Sequence, residues 1–280
     1  MKIRCILFIL SLLIGFSSMG QNYKLMTYNI RYDTERDGEN QWSKRKDFLS
    51  GQIAFFEPDV FGIQEGLHHQ VSFLDGFLKE YSFIGIGRDD GKEKGEYSAI
   101  FYKTNSLEVL EQNTFWLSET PNKISVGWDA AMERICTYAL FKDRNSKQKF
   151  WVFNTHFDHK GKEARVKSSE LIVKKIKELN KKQFPVVLMG DLNLLPTSEP
   201  ILFLSEKLVD SKNACLSPPF GPEGTFNGFK FNEPIDRRID YIFVSRNNIE
   251  VKKYAVLTDS KDFKYPSDHL PVFVEIQMTK

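Results

Sequence analysis

"YPSDHLPVFVEI", residues 265–276, puts two unlike pieces of sequence side by side. From Pro271 the chain alternates like a half-buried strand, with Val272 and Val274 on one side and Phe273 and Glu275 on the other. Immediately before that strand stand Asp268 and His269, a carboxylate and an imidazole that are both costly to bury. An Asp before a strand is commonly a turn residue. The other reading is a reactive pair carried on the end of a rigid sheet, and the rest of the chain decides between the two.

Outward from that stretch, about eleven segments read as strands. They are "KLMTYNI" (24–30), "DVFGIQE" (59–65), "YSFIGIG" (81–87), "YSAIFYK" (97–103), "LEVLEQNTFWLS" (107–118), "RICTYALF" (134–141), "KFWVFNTHF" (149–157), "FPVVLMGDLN" (184–193), "RIDYIFVS" (238–245), "EVKKYAVLT" (250–258) and "LPVFVEIQM" (270–278). Two segments read as helices. "WSKRKDFLSGQIAFFE" (42–57) places Phe48, Ile53 and Phe56 near one side and is closed by Pro58. "KEARVKSSELIVKKIKEL" (162–179) carries apolar residues at 166, 171, 172, 176 and 179, so the basic run "KKIKELNKK" reads as the solvated face of a surface helix. Without a linker or low-complexity break, this pattern predicts one α/β domain over residues 21–280. Two packed sheets covered by helices are favoured over one very wide sheet, which tends to curl or split.

The first twenty residues stand apart. "MKIRCILFILSLLIGFSSMG" runs from Lys2 and Arg4 through an apolar stretch, Ile6 to Phe16, into small residues. That is the layout of a secretory signal peptide over residues 1–20, with cleavage after Gly20 and a periplasmic or secreted destination. A membrane anchor is the alternative, but the run is short for a span of ~20 apolar residues. Cys5 precedes the apolar run, which argues against a lipoprotein. Removing the segment deletes Lys2 and Arg4 and no acid, leaving 37 basic and 37 acidic residues. A chain without a basic excess lacks the usual signature of a nucleic-acid binder. Cys136, inside an apolar strand, reads as core; a disulfide to Cys215 is not deducible from sequence.

Strand after strand ends in the same kind of residue: Asn29, Glu65, His156 with Asp158, Asp191 with Asn193, Asp240, and the opening Asp268–His269. Singly, each has a bland reading as a turn or a satisfied polar group. Together they are too many carboxylates to bury without a cation or hydrogen bonds. Oxygen donors with few Cys suit Mg²⁺ or Mn²⁺, with Ca²⁺ also admissible, and disfavour a closed zinc site. Carboxylates with two histidines make a metal-assisted hydrolase set.

In order, "TYNIR", "IQE", "EYSAIFY", "NTHFDH", "GDLN", "RRIDYIF" and "SDHLPV" resemble the endonuclease/exonuclease/phosphatase superfamily, over about residues 23 to 278. That superfamily includes pancreatic-type deoxyribonuclease, abasic-site endonucleases, inositol-polyphosphate 5-phosphatases, bacterial sphingomyelinases and deadenylases. The stretch "NIRYDTERDGENQWSKRK" resembles an exported bacterial subgroup. The resemblance implies a four-layer sandwich, two mixed β-sheets face to face with helices outside. It implies Glu65 as the principal metal ligand, with Asn29 close by and Asp268 contributing from the opposite sheet. Asp191 and Asn193 would orient the attacking water and bind the scissile phosphate. His269 would pair with Asp240, and His156 would contact the phosphate with Glu96 supporting it. At Arg31 the sequence departs from the abasic-site nucleases, which carry an acid next to the metal; this argues against abasic-site repair.

The implied activity is an exported, divalent-metal-dependent phosphoesterase that directs water onto a phosphodiester or phosphomonoester. Asp191 and His269 are both open as the general base, since an Asp240 partner would favour the imidazolium form of His269. Arg134 reads either as a strand-start surface residue or as a phosphate-binding guanidinium, and Asp158 is a further candidate substrate contact. "GTFNGF" (224–229) is either a tight turn with a packed Phe or a cleft wall in which Phe226 and Asn227 meet substrate. Trp42 and Trp128 read as packing, with stacking on substrate the alternative. The neutral mature chain favours a small or lipid-linked phosphoester over a secreted nuclease's DNA or RNA, and no stable protein partner is implied. A non-catalytic binding module would have lost some metal or phosphate residues, and none is missing at the main positions.

Overall fold

The computed structural model describes residues 20–279. The signal segment expected at 1–20 therefore lies, except for Gly20, outside the described residues. Among these, no helix is long and apolar enough to cross a membrane.

In chain order the elements are β1 (Gln21–Asn29), α1 (Trp42–Phe56), β2 (Val60–Gln64), α2 (His68–Phe77), β3 (Tyr81–Ile84), β4 (Ile100–Lys103), β5 (Leu107–Trp116), β6 (Ile135–Asp143), β7 (Lys149–His156), α3 (Lys162–Leu179), β8 (Val186–Asp191), α4 (Glu199–Lys207), β9 (Val209–Asp210), α5 (Ser211–Ala214), β10 (Asp240–Val244), β11 (Ile249–Val256) and β12 (Val272–Met278). They build two six-stranded sheets, ordered β11-β12-β1-β2-β4-β3 and β5-β6-β7-β8-β10-β9. All the strands expected from sequence form. The two-residue β9, the short helices α2, α4 and α5, and a 3₁₀ turn over Glu35–Asn40 have no apolar period long enough to read, because short helices owe their stability to packing.

Strand alternation sorts the core into layers. Leu25, Val60, Val152, Val187 and Ile242 point into the gap between the sheets. Their neighbours Met26 and Phe61 pack outward under α1 and α2. Phe153, Leu188 and Phe243 pack outward under α3 and α4. The result is a four-layer sandwich. β12 behaves as its alternation predicts, with Val272 and Val274 in the gap and Phe273 against Phe56 of α1. On α1 the expected face needs correction: Trp42, Arg45, Leu49 and Ile53 are buried, whereas Phe48 is only half-buried. Glu57 ends that helix in a left-handed conformation, its N–H bonded to Ile53 O, just before Pro58.

Each sheet contains one parallel pair, β1–β2 and β7–β8. A parallel pair needs a crossover, and α1 and α3 provide them. Both members then end at the same edge, so Asn29 of β1 lies beside Gln64 of β2, and His156 of β7 beside Asp191 of β8. The antiparallel neighbours β12 and β10 begin where these strands end; Thr27 pairs with Val272 and Asp191 with Asp240. Carboxyl ends and amino ends therefore meet at one edge of the sandwich.

A buried polar cluster fixes the two sheets across the gap. Asn154 on β7 donates through Nδ2 to the carbonyls of Ile63 (2.9 Å) and Ala99 (2.8 Å) in the opposite sheet, and its Oδ1 accepts from Gln64 Nε2 at 2.7 Å. Gly62 makes room for it, since a Cβ there would sit 2.5 Å from Asn154 Cγ. Replacing Asn154 with Leu should lower stability by about 1–3 kcal/mol through lost buried hydrogen bonds, read from the urea midpoint. Gly62→Ala should also destabilise, but by less in an Asn154→Ala background, where the clash is gone. Additive effects would show that the contact is not limiting.

Candidate active site

At the end of β2 the chain turns sharply, and Glu65 takes φ of +65°, a left-handed conformation unusual for a non-glycine residue. The turn aims its carboxylate across the gap. Asn29, fully buried, donates through Nδ2 to Glu65 Oε1 and to Asp191 Oδ2, both at 3.0 Å, so one amide joins the two sheets' acids. Arg31, also left-handed at φ +56°, lies 3.8 Å from Glu65 and 3.9 Å from Asp268. It is held by a two-pronged bond to Asp37 at 3.0 and 2.9 Å. A guanidinium thus stands between two of the three expected metal ligands. Burial, with Glu65 adding to it, raises the Asp268 pKa, while His269 and Arg31 pull it down.

The loops on this side are tied by Arg45, an arginine in the buried stripe of α1. Among the described residues it has no carboxylate partner, and it donates instead to the carbonyls of Ile30 (2.5 Å), Arg31 (2.7 Å), Asn40 (2.8 Å) and Pro266 (3.1 Å). Ser267 Oγ adds a bond to Asn29 O at 2.7 Å. The segments carrying Asn29 and Asp268 are locked to each other.

From the second sheet come Asp191, His156 and Asn193. Asp191 Oδ1 accepts from Asn193 N at 2.9 Å, and Asn193 itself is left-handed, at φ +52°. Burial, reinforced by the nearby Asp240 charge, pushes the Asp191 pKa up to about 7 against the opposing pull of His269. Asn193 Nδ2 donates to His156 Nε2 at 3.0 Å, which places the proton of a neutral ring on Nδ1. Burial and the Arg134 and Arg88 charges drive the His156 pKa well below its ordinary value, so the ring is neutral. The expected support from Glu96 is not made. Its carboxylate stands 3.8 Å from His156 Nδ1, beyond hydrogen-bond reach, because Arg88 takes both oxygens at 2.8 Å.

The expected Asp240–His269 pair forms. His269 Nδ1 meets Asp240 Oδ2 at 2.9 Å, and Nε2 faces Asp191 at 3.8 Å. Thr225 of the "GTFNGF" loop donates to the same Asp240 oxygen at 2.6 Å and accepts from the backbone N–H of Ile239 and Asp240. Burial opposes a charge on His269, but Asp240, Asp191 and Asp268 outweigh it and raise its pKa to about 10. The two histidines therefore carry opposite protonation states at neutral pH.

The four expected substrate contacts divide. Arg134 is buried, bonded through NH2 to His159 Nδ1 at 3.0 Å, and lines the cleft; Phe226 lines it too, edge-on to His269. Asp158 and Asn227 are scaffold. Asp158 accepts from the backbone N–H of Ala131, Lys160 and Gly161, and Asn227 bonds Ser267 O and Phe229 N. Trp42 packs against Phe73, and Trp128 is not among the residues lining the cleft. Among the described residues, Cys136 and Cys215 are free thiols, not bonded to each other. The cleft holds about 500 Å³ and receives further cations from Arg88 and Arg237, and the His159 ring, which sequence reading missed. Arg88 sits in a Gly- and charge-rich loop that reads as solvated turn. A separate apolar groove beside Phe56, Phe220 and Tyr254 shares none of this chemistry.

Residues 26–269 match the profile of the Endonuclease/Exonuclease/phosphatase family. The chain belongs to that family. Among solved structures, a mannosyl-6-phosphatase from Bacteroides thetaiotaomicron is 41% identical with a TM-score of 0.87, over 91% of this chain and 99% of that one. Another family protein from the same organism is 39% identical with a TM-score of 0.89, over 93% and 99%. A protein of Acanthamoeba polyphaga mimivirus is 27% identical over 90% of this chain and 98% of its own. Family members include nucleases and phosphatases, and the chain is a phosphoric ester hydrolase of this type with an acidic site able to hold a metal.

The charge on His269 is measurable directly. In metal-free protein at pH 8, ¹⁵N resonances of His269 should report an imidazolium and those of His156 a neutral ring. Asp240→Asn should bring His269 to neutrality at a pH at least one unit lower; an unmoved titration would show that Asp240 does not set its charge.

Proposed function

We propose that this chain is an exported phosphoesterase, a single domain over residues 21–280, that uses a hard divalent cation to hydrolyse a small phosphorylated substrate. The observation that carries the reading is the meeting of buried carboxylates from both sheets beside one charged and one neutral imidazole. The donor set fits a cation. Glu65, His156 and Asp191 can each offer a ligand atom within 4.8 Å of the others, and Asn29 bridges two of them. Burial, with Asp240 and Glu65 adding to it, raises the pKa of Asp191 and Asp268, a cost that a cation at this edge would offset. Oxygen-rich donors of this kind suit Mg²⁺ or Mn²⁺, with Ca²⁺ the third choice. Bound there, the ion would neutralise phosphoryl oxygens and the departing oxygen.

The chain's own residues supply the rest. Asp191, whose carboxylate faces His269 Nε2 at 3.8 Å, accepts the proton of the attacking water. His269, held charged by Asp240, places Nε2–H against phosphoryl oxygen as negative charge grows there. Asn193 holds the neutral His156 in one tautomer beside Asp191.

Likeness to a mannosyl-6-phosphatase supports a phosphorylated sugar as substrate. The net charge of zero after residue 20 supports a small ester over a long polyanion. A nuclease that neutralises six or more phosphates would lose affinity ~10³-fold between low and moderately raised salt. Hydrolysis of a soluble phosphoester should change little over that range; fast, steeply salt-sensitive plasmid cleavage would instead favour the nuclease reading.

Glu65→Gln keeps the shape and removes the charge. With Mg²⁺ or Mn²⁺ it should lower kcat/KM by about 10²-fold or more and weaken Mn²⁺ binding in calorimetry. Full wild-type activity in excess chelator would end the metal-dependent reading. Export is supported by the order of residues 1–20 and by β1 starting at Gln21, the residue cleavage would leave first. N-terminal sequencing of native protein should begin at Gln21 in a non-cytoplasmic fraction, and Met1 in the cytoplasm would refute it.

A further inference from the structure

We propose that Arg237 is a specificity-determining residue, whose guanidinium donates to the hydroxyl groups of a sugar that forms the alcohol part of the ester. The proposal rests on the phosphoesterase reading and names the part of this site that selects the alcohol.

The "RRIDYIF" strand opens with two arginines that the fold treats differently. Arg238 is buried and gives both terminal nitrogens to Asp210, at 3.2 and 2.6 Å. Arg237 is exposed and lines the cleft, and among the described residues its side chain makes no hydrogen bond or ion pair. Its guanidinium lies over the Phe226 ring, 4.8 Å from the centroid. That stacking restrains a long side chain while leaving the donors at its edge free.

The backbone fixes where those donors stand. Phe226 is bridged antiparallel to Arg237 and also to His269. A strand has one neighbour on each side, so the three residues form a row with Phe226 in the middle. Directly opposed residues of antiparallel segments share a face. With about 4.8 Å between neighbouring segments, the backbone of Arg237 stands about 10 Å from that of His269. The row is held firmly: the N–H groups of Thr225 and Phe226 donate to Arg237 O at 2.8 and 3.1 Å, and Leu270 N donates to Thr225 O at 2.7 Å. His269 is the residue that meets phosphoryl oxygen in the proposed reaction. Arg237 lies further along the same wall, beyond the phosphate, where the rest of a small substrate extends. Phe226 and Ile239 add apolar surface there. A sugar presents both C–H groups and hydroxyl oxygens, which this pairing of apolar surface with a donor-only guanidinium matches. A second phosphate would present anionic oxygens alone.

The test compares mannose 6-phosphate, fructose 1,6-bisphosphate and p-nitrophenyl phosphate under Mn²⁺, together with an NMR titration of metal-free protein with mannose 6-phosphate. Arg237→Met should lower the ratio of kcat/KM on mannose 6-phosphate to that on p-nitrophenyl phosphate by about 10–100-fold, the range for a hydrogen bond to a charged group, and mainly through KM. Affinity for mannose 6-phosphate should fall alongside, with Mn²⁺ affinity and Tm near wild type because the side chain is exposed. An unchanged ratio, or a wild type that takes the aryl ester alone, would overturn the proposal. A larger loss on fructose 1,6-bisphosphate than on mannose 6-phosphate would overturn it as well, by assigning Arg237 to a second anionic group. If the wild type hydrolysed none of the three with any divalent ion, the phosphoesterase reading would fail. The titration would still decide the subsite, and no binding, or equal affinity in Arg237→Met, would overturn it.

Discussion

The side-chain amide of Asn154 sets the spacing of everything that follows. Apolar packing holds two sheets together without fixing how one slides over the other, because the hydrophobic effect is not directional. Hydrogen bonds from a side chain at zero exposure are directional and costly to break. Asn154 reaches Ile63 O and Ala99 O and receives Gln64, and each contact lies close to the site. Glu65 directly follows Gln64, and His156 follows Asn154 by two residues. Asn29 repeats the device one layer further out, joining Glu65 to Asp191. The edge that carries the candidate site is therefore the last rung of a polar ladder that begins in the core.

Much of this was legible in the chain because strands buried on both faces read as apolar runs, and a polar residue at the end of such a run stands out. Asn29, Glu65, His156, Asp191, Asp240, Asp268 and His269 all announced themselves in that way and do converge. Asp158 carried the same signal and turned out to serve backbone, as did Asn227, which the Gly-flanked loop 224–229 had suggested as a cleft wall. Whether a side-chain oxygen faces substrate or a nearby N–H is settled by loop geometry, which one sequence does not contain. Glu96 is the sharpest case. Its partner comes from Arg88, eight residues upstream through a glycine-containing loop, and nothing in the local pattern distinguishes that choice from His156. Arg45 hides for the opposite reason, since a charge inside an amphipathic stripe is hard to foresee when its partners are four carbonyls.

Electrostatics then separates residues of identical type. His156 and His269 are both buried, so burial disfavours charge on each. Their neighbours differ: arginines surround the first and carboxylates the second. One ring stays neutral and the other charged, within a single cleft and without any difference in intrinsic chemistry. Asp191 sits between them, 3.4 Å from His156 and 3.8 Å from His269, and is left near the midpoint of its titration at neutral pH.

Arg31, Glu65 and Asn193 share a backbone conformation that L-residues adopt reluctantly, and all three are at the site. Each stores about 1–3 kcal/mol of strain that the surrounding fold has to absorb. Glycine would relieve that strain at every one of these positions while deleting the side chain that the turn exists to present. Against that relief stand the bonds those side chains make, Arg31 to Asp37, Glu65 to Asn29 and Asn193 to His156. In this fold, backbone strain and the polar lining of the cleft meet in the same three residues.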